Sequence, residues 1–157
     1  MRNKIADANR TRIVNYRRTR TKNQKGNNSL KMQKESYEKD RKRYGWITVA
    51  SIEEIGSGAS ISQRKGVREV LRLMGNHEVD GVYVTELDRL IRPENLRDLA
   101  EFYDAFVKHN IKLVTPNRIY DLNNCMDSFS FDIEGILNKY NRKSLLQHRG
   151  VDKKEVV

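Results

Sequence analysis

Val79-Asp80-Gly81-Val82-Tyr83-Val84-Thr85-Glu86-Leu87-Asp88-Arg89-Leu90-Ile91-Arg92 decides the reading of the fold. Its first half is dense in β-branched and aromatic side chains, with Val82 and Val84 flanking Tyr83, and predicts a strand over 79–85. Charged residues take over from Glu86 to Arg92, as they do where a buried strand surfaces into a loop. Outward from this strand, Arg12-Ile13-Val14-Asn15-Tyr16 and residues 46–52 predict strands before it, and residues 111–114 predict another after it. Helical spacing fills the gaps. Val67, Val70, Leu71 and Met74 recur through Gly75, and Leu96, Leu99, Tyr103, Phe106 and Val107 form one apolar face between Pro93, suited to a first turn, and about Asn110. Ser29 caps a mostly polar helix over 30–43 with Leu30, Met32 and Tyr37 as its anchors, while residues 21–28 read as a loop too hydrophilic to bury. Strands alternating with helices place the chain in the α/β class, with a mostly parallel sheet of four to five strands flanked by helices.

A further stripe, Phe129, Ile133, Ile136, Leu137 and Tyr140, predicts a long C-terminal helix from about Met126 to His148, either as core or as a pairing surface for another subunit. The expected organisation is a basic polar tail over 1–10, one folded unit over 11–125, the long helix over 126–150 and a polar tail over 151–157.

The chain has 157 residues and a net charge of +10, unevenly placed. Residues 1–44 hold 15 Lys or Arg against 4 Asp or Glu, and residues 45–157 hold 16 against 17, so the excess lies wholly in the first stretch. Such a block suits a polyanion, because neutralising phosphates releases condensed counterions. Nucleic acid is therefore the first candidate partner. An anionic membrane surface ranks behind it, since the block lacks the Trp, Phe and Leu face of an interfacial helix. No apolar run reaches the ~18 residues of a membrane span and the start lacks a secretory signal, so a cytoplasmic location is expected. Cys125 is the single cysteine and the histidines are scattered, which argues against structural zinc.

In an open α/β sheet, ligands meet the loops at the carboxyl ends of the strands. The three such loops here begin Arg17-Arg18-Thr19-Arg20-Thr21-Lys22, Glu53-Glu54-Ile55-Gly56-Ser57-Gly58 and Glu86-Leu87-Asp88-Arg89. Two are rich in arginine on one side of the predicted sheet, and planar guanidinium groups bind phosphate oxygens through paired hydrogen bonds. The glycine loop matches neither a phosphate loop nor a dinucleotide fingerprint. Should residues 88–92 turn helical, Asp88 and Arg92 would share a face, with the carboxylate orienting a guanidinium.

Taken in order, Tyr16, Arg18, Thr21 and Gln24, then Ser29-Leu30-Lys31-Met32-Gln33, Ser57-Gly58, Arg64-Lys65-Gly66, Asp88-Arg89-Leu90-Ile91-Arg92 and the stretch Thr115 to Leu122 resemble the motifs of the serine recombinase catalytic domain over about residues 13–150. That family contains resolvases, invertases, phage-type integrases and some insertion-sequence transposases, and the last stretch is most similar to its integrase branch. The resemblance implies a resolvase-like fold and a reaction in which a serine attacks a DNA phosphodiester, forming a phosphoserine link, with neither metal nor nucleotide as cofactor. It implies that Arg18, Arg89 and Arg92 contact the scissile phosphate, that Asp88 orients an arginine, that Gln33, Ser57 and Arg64 support the site beside Tyr16, and that Arg142 is the late arginine of the long helix. The first motif departs at its centre: Arg20 stands where the family has its serine. A guanidinium stays protonated at neutral pH and is no nucleophile. Thr19 and Thr21 flank it, on opposite faces of an extended chain from Arg20.

The expected partners are DNA and a second copy, in a dimer or tetramer paired through the long helix, with a full-length recombinase as a further candidate. Family members continue past this helix into a DNA-reading part, whereas the sequence stops at Val157, so a piece of a longer protein or action through partners is expected. The readings are thus a recombinase catalytic domain impaired by Arg20, a non-catalytic DNA-binding or regulatory module, and, more weakly, a small-molecule domain for an anionic ligand.

Overall fold

A computed structural model describes residues 10–56, 63–91, 97–124, 130 and 132–137. Its elements are β1 (Arg12–Thr19), α1 (Gln24–Tyr44), β2 (Ile47–Ile55), α2 (Lys65–Gly75), β3 (Gly81–Tyr83), a single turn α3 (Leu87–Leu90), α4 (Arg97–Lys108), β4 (Lys112–Val114) and β5 (Ile119–Tyr120). The strands form one mixed sheet in the order β2-β1-β3-β4-β5, parallel except for β5, which runs antiparallel to β4. Crossover helices between parallel strands bury both faces of the sheet, so β1 is buried at nearly every position rather than at alternate ones.

Ile13 faces α1, packing with Tyr37, Trp46, Tyr83 and Val114. Val14 and Tyr16 belong to the larger core, built with Val67, Val70 and Met74 of α2 and Phe102 and Phe106 of α4. That core also takes Ile133, with Ile136 and Leu137 packed at its margin, so this part of the C-terminal stripe is core. Residues 130 and 132–137 are helical. The expected extent of the long helix, from Met126 to His148, otherwise lies outside the described residues.

Several boundaries differ from the sequence reading for identifiable reasons. α1 begins at Gln24 rather than after Ser29, because the Asn23 side chain accepts the Gly26 N–H and caps the helix earlier. Gly26 itself is required: a Cβ there would lie 2.0 Å from the Thr21 carbonyl oxygen. Met32 is no anchor, being 70% exposed, and α1 is held instead by Leu30, Gln33 and Tyr37. β1 and β2 run on together to Thr19 and Ile55, which pair in register, so their charged residues are strand and not loop. α3 ends at Leu90 with Ile91 extended, so the helical turn considered for residues 88–92 stops at Leu90, and Arg92 lies outside the described residues.

Asn15, in the middle of β1, is 1% exposed, and neither polar atom of its side chain has a hydrogen-bond partner. Unmet polar atoms in a core destabilise it by about 1–3 kcal/mol. Asn15→Val is therefore expected to raise stability by about 1 kcal/mol, seen as a rise of a few degrees in the thermal midpoint. A lower midpoint would contradict this account of the position. Among the described residues, no helix is long and apolar enough to cross a membrane, and no cluster of metal-ligating side chains is found.

Candidate functional site

The parallel register brings the carboxyl ends of β1, β2 and β3 to one edge of the sheet, and Arg18 ties them together. Its guanidinium donates from Nε to the Arg89 carbonyl at 2.9 Å, from one terminal nitrogen to the Gly56 carbonyl at 3.1 Å and from the other to the Asp88 carbonyl at 3.0 Å. At 3% exposure Arg18 is buried, and each of its three side-chain nitrogens has found a carbonyl at a neighbouring strand tip. Arg89 returns the contact, with a terminal nitrogen 3.4 Å from the Arg18 carbonyl oxygen and another 3.8 Å from Glu86. Gln33 clamps the same residue from α1: its Oε1 accepts the Arg18 N–H at 3.1 Å, and its Nε2 donates to the Arg18 carbonyl at 2.9 Å and to Ser29 at 3.1 Å. Arg18, Gln33 and Arg89, picked out in the sequence from three separate motifs, thus form one cluster.

A second, buried network supports it from the opposite face. Arg64 donates to the Tyr16 hydroxyl at 2.7 Å and to the carbonyls of Leu90 at 3.0 Å and Arg89 at 3.2 Å, and its Nε lies 3.7 Å from the Glu54 carboxylate. The Tyr16 hydroxyl donates to the same carboxylate, whose other oxygen accepts the Gly66 N–H at 3.1 Å. Burial pushes the Tyr16 phenol above its usual range, against the pull of Arg64 and with the help of Glu54. Sequence reading chose Tyr16 and Arg64 but missed Glu54. The signal was there: in β2 the odd residue Glu53 is exposed, while Glu54 shares the inward phase of Ala50 and Ile52. Arg17, also unchosen, is buried in β1 and pairs with Glu53 at 2.8 Å.

Arg20 lies exposed just beyond β1. Of its neighbours, Thr19 is buried in the strand, and the Thr21 hydroxyl donates to the Asn23 side chain that caps α1. Asp88 contributes its carbonyl to Arg18 while its exposed side chain lines a cleft of about 470 Å³ toward the β4–β5 hairpin. Tyr120 donates to Asp132 across that cleft and Arg118 lies 3.7 Å from the same carboxylate. Burial, with the Asp132 contact, raises the Tyr120 phenol to about 12. Ser57, Arg92 and Arg142 fall outside the described residues.

Carbonyls held around buried arginines make the strand tips rigid, and the exposed cations that border them, Arg20 and the half-buried Arg89, suit an anion. The model of the family described as Resolvase, N terminal domain, matches residues 13–154. Among solved structures, the N-terminal catalytic domain of TP901-1 integrase is 26% identical, with 84% of this chain and 97% of that one covered and a TM-score of 0.60. A serine recombinase from Sulfolobus solfataricus is 28% identical, covering 81% and 87% with a TM-score of 0.54. A resolvase family site-specific recombinase from Streptococcus pneumoniae shares the fold at 19% identity, covering 94% and 100% with a TM-score of 0.62. No curated protein matches the chain. A family model spanning nearly the whole folded part, over a sheet whose strand tips gather the motif residues, leads to one conclusion: the chain belongs to the resolvase N-terminal domain family, the catalytic fold of the serine recombinases.

Proposed function

We propose that this chain is a serine-recombinase domain for site-specific recombination that holds DNA phosphates at its strand tips but, with Arg20 in the serine position, forms no covalent DNA link. The observation that supports the reading is the gathering of Arg18, Gln33, Arg64 and Arg89 at the strand tips, beside an exposed Arg20 at the position that the motif gives to its serine. Arg18, Gln33 and Arg64 are all engaged in holding the tips together, while the flanking hydroxyls of Thr19 and Thr21 are buried or committed to the helix cap. Arg18 then acts as a positioning residue, and phosphate contact falls to Arg20 and Arg89, joined by Arg92 as the motif implies. Such a domain, assembled with further copies through its C-terminal helix, contributes to a complex whose strand cleavage is done by another subunit. Asp88 and Arg142 keep the roles that the motifs assign them, orienting an arginine and supplying the late cation.

Fluorescence anisotropy with a duplex DNA at several salt concentrations tests the phosphate contacts. If about four phosphates are neutralised, log affinity falls against log salt with a slope near −3.6, roughly a twelvefold loss for each doubling. Arg89→Gln should reduce the slope by about one and weaken binding to all sequences alike. An affinity indifferent to salt would refute this placement of the DNA.

A further inference from the structure

The two faces of the sheet are finished differently. On the side of α2 and α4, Val14, Tyr16, Val82 and Val84 lie in the larger apolar core. On the side of α1 the apolar set is five residues, Ile13, Tyr37, Trp46, Tyr83 and Val114, and of these α1 itself contributes only Tyr37. Leu30 is the other buried apolar side chain of the helix. Polar contacts do the rest of the fastening: the Gln33 clamp on Arg18, Ser36 Oγ at 2.9 Å from the Tyr83 hydroxyl, that hydroxyl donating to Asp40 at 2.8 Å, and the Tyr37 hydroxyl against that of Thr48.

The same side holds every buried side-chain polar atom left without a partner among the described residues: both of Asn15, Nε of Arg17, Oγ1 of Thr85 and Nε of Arg89. Alternation puts Asn15 and Arg17 on the face of β1 that Ile13 turns toward α1, and Thr85 on the face that Tyr83 turns toward it. Arg89 meets Gln33 of α1 at the Arg18 carbonyl. Native interiors pair most such atoms, and each one left unmet favours a state in which water reaches it. Undocking α1 uncovers little apolar surface and hydrates this layer, and bonds such as Ser36 to Tyr83 are replaced by bonds to water at small net cost. Away from the sheet the helix loses its protection, since most of the stability of a protein helix comes from packing.

We propose that α1 is a detachable cover: it undocks from the sheet as one unit while β1, β2 and the core around α2 and α4 stay folded, and its docking is felt at the strand tips through Gln33. The clamp exists only in the docked state, so whatever steadies the Arg18 backbone favours docking, and undocking releases that backbone. Undocking requires no ligand and is therefore independent of the DNA reading above.

Native-state hydrogen exchange of the whole chain, followed residue by residue by NMR, is the test. Amides from Met32 to Lys39 should share one opening, at least about a hundredfold more frequent than the one that exchanges Val70 to Met74 of α2. The Arg18 N–H lies in β1 but is donated to Gln33, so it should exchange at the rate of α1 and not at that of its strand. Val70→Ala, in the core that undocking leaves intact, should speed exchange in α2 by about tenfold or more and leave α1 unchanged. Asn15→Val removes two of the unmet atoms and should slow the α1 opening about fivefold. Equal protection of α1 and α2, faster exchange of α1 in Val70→Ala, an Arg18 amide that follows its strand, or an α1 opening indifferent to Asn15→Val would each overturn the proposal.

Discussion

Arg20→Ser is expected to turn a chain that leaves supercoiled DNA intact into one that nicks it and stays attached to the 5′ end. In the reaction that the family resemblance implies, the serine oxygen attacks phosphorus, the bond to the 3′ oxygen breaks, and that oxygen leaves as a hydroxyl after taking up a proton. Loss of a nucleophile costs up to about 10⁶ in rate where a covalent enzyme has been dissected, so the gain should be at least about 10⁴-fold. The substitution asks little of the fold, since position 20 is exposed beyond the end of β1. Denaturing gels before and after protease treatment give the readout, with Arg20→Ala as the control that removes the guanidinium without adding a hydroxyl. If Arg20→Ser binds DNA as well as Arg20→Ala does yet yields no protease-sensitive adduct, the strand tips are no latent cleavage site.

Arg64→Ala is expected to have the largest effect on stability, a loss of about 3–5 kcal/mol, because removing one partner of a buried ion pair strands the other. Arg64 holds the Tyr16 hydroxyl, the Glu54 carboxylate and the carbonyls of Arg89 and Leu90 in one place. Without it a carboxylate 13% exposed loses its cation, the Leu90 carbonyl loses the Arg64 donor, and the Arg89 carbonyl keeps only that of Arg18. For a chain of this size the thermal midpoint should drop by roughly 10 °C. Arg64→Lys keeps the charge but not the planar fork, so it should recover only part of the loss. Denaturant unfolding checks both. A cost under about 1 kcal/mol for Arg64→Ala would mean that packing of Leu87 and Leu90, and not this network, holds the turn.

Much of the sheet was legible because its signals are local. The β-branched runs marked four strands, and the apolar spacing of Val67, Val70 and Met74 and of Leu99, Tyr103 and Phe106 marked the helices that cover one face. Boundaries were less legible where two residues met the same local rule. Asn23 and Ser29 are both good caps, and the choice fell to Asn23 because the chain folds back there, pressing Gly26 onto the Thr21 carbonyl. The two-residue β5 has too few residues to show a period, and exists because β4 offers it an edge. Glu54 was passed over because a carboxylate in a run of charge reads as solvated until Tyr16 and Arg64 are seen beside it.

Composition and pattern alone determined the α/β class, the concentration of positive charge in residues 1–44 and the presence of arginine at two strand tips, for each of these is written in neighbouring residues. Tertiary structure decided what each arginine does. Three donors of Arg18 find carbonyls 38, 70 and 71 residues away, which buries its guanidinium among the strand tips. Arg20, two positions on, stays at the surface. The physical reason is that a hydrogen-bond donor takes whatever acceptor the fold brings within reach, and the reach is set by strands that adjoin in space and lie far apart in the chain.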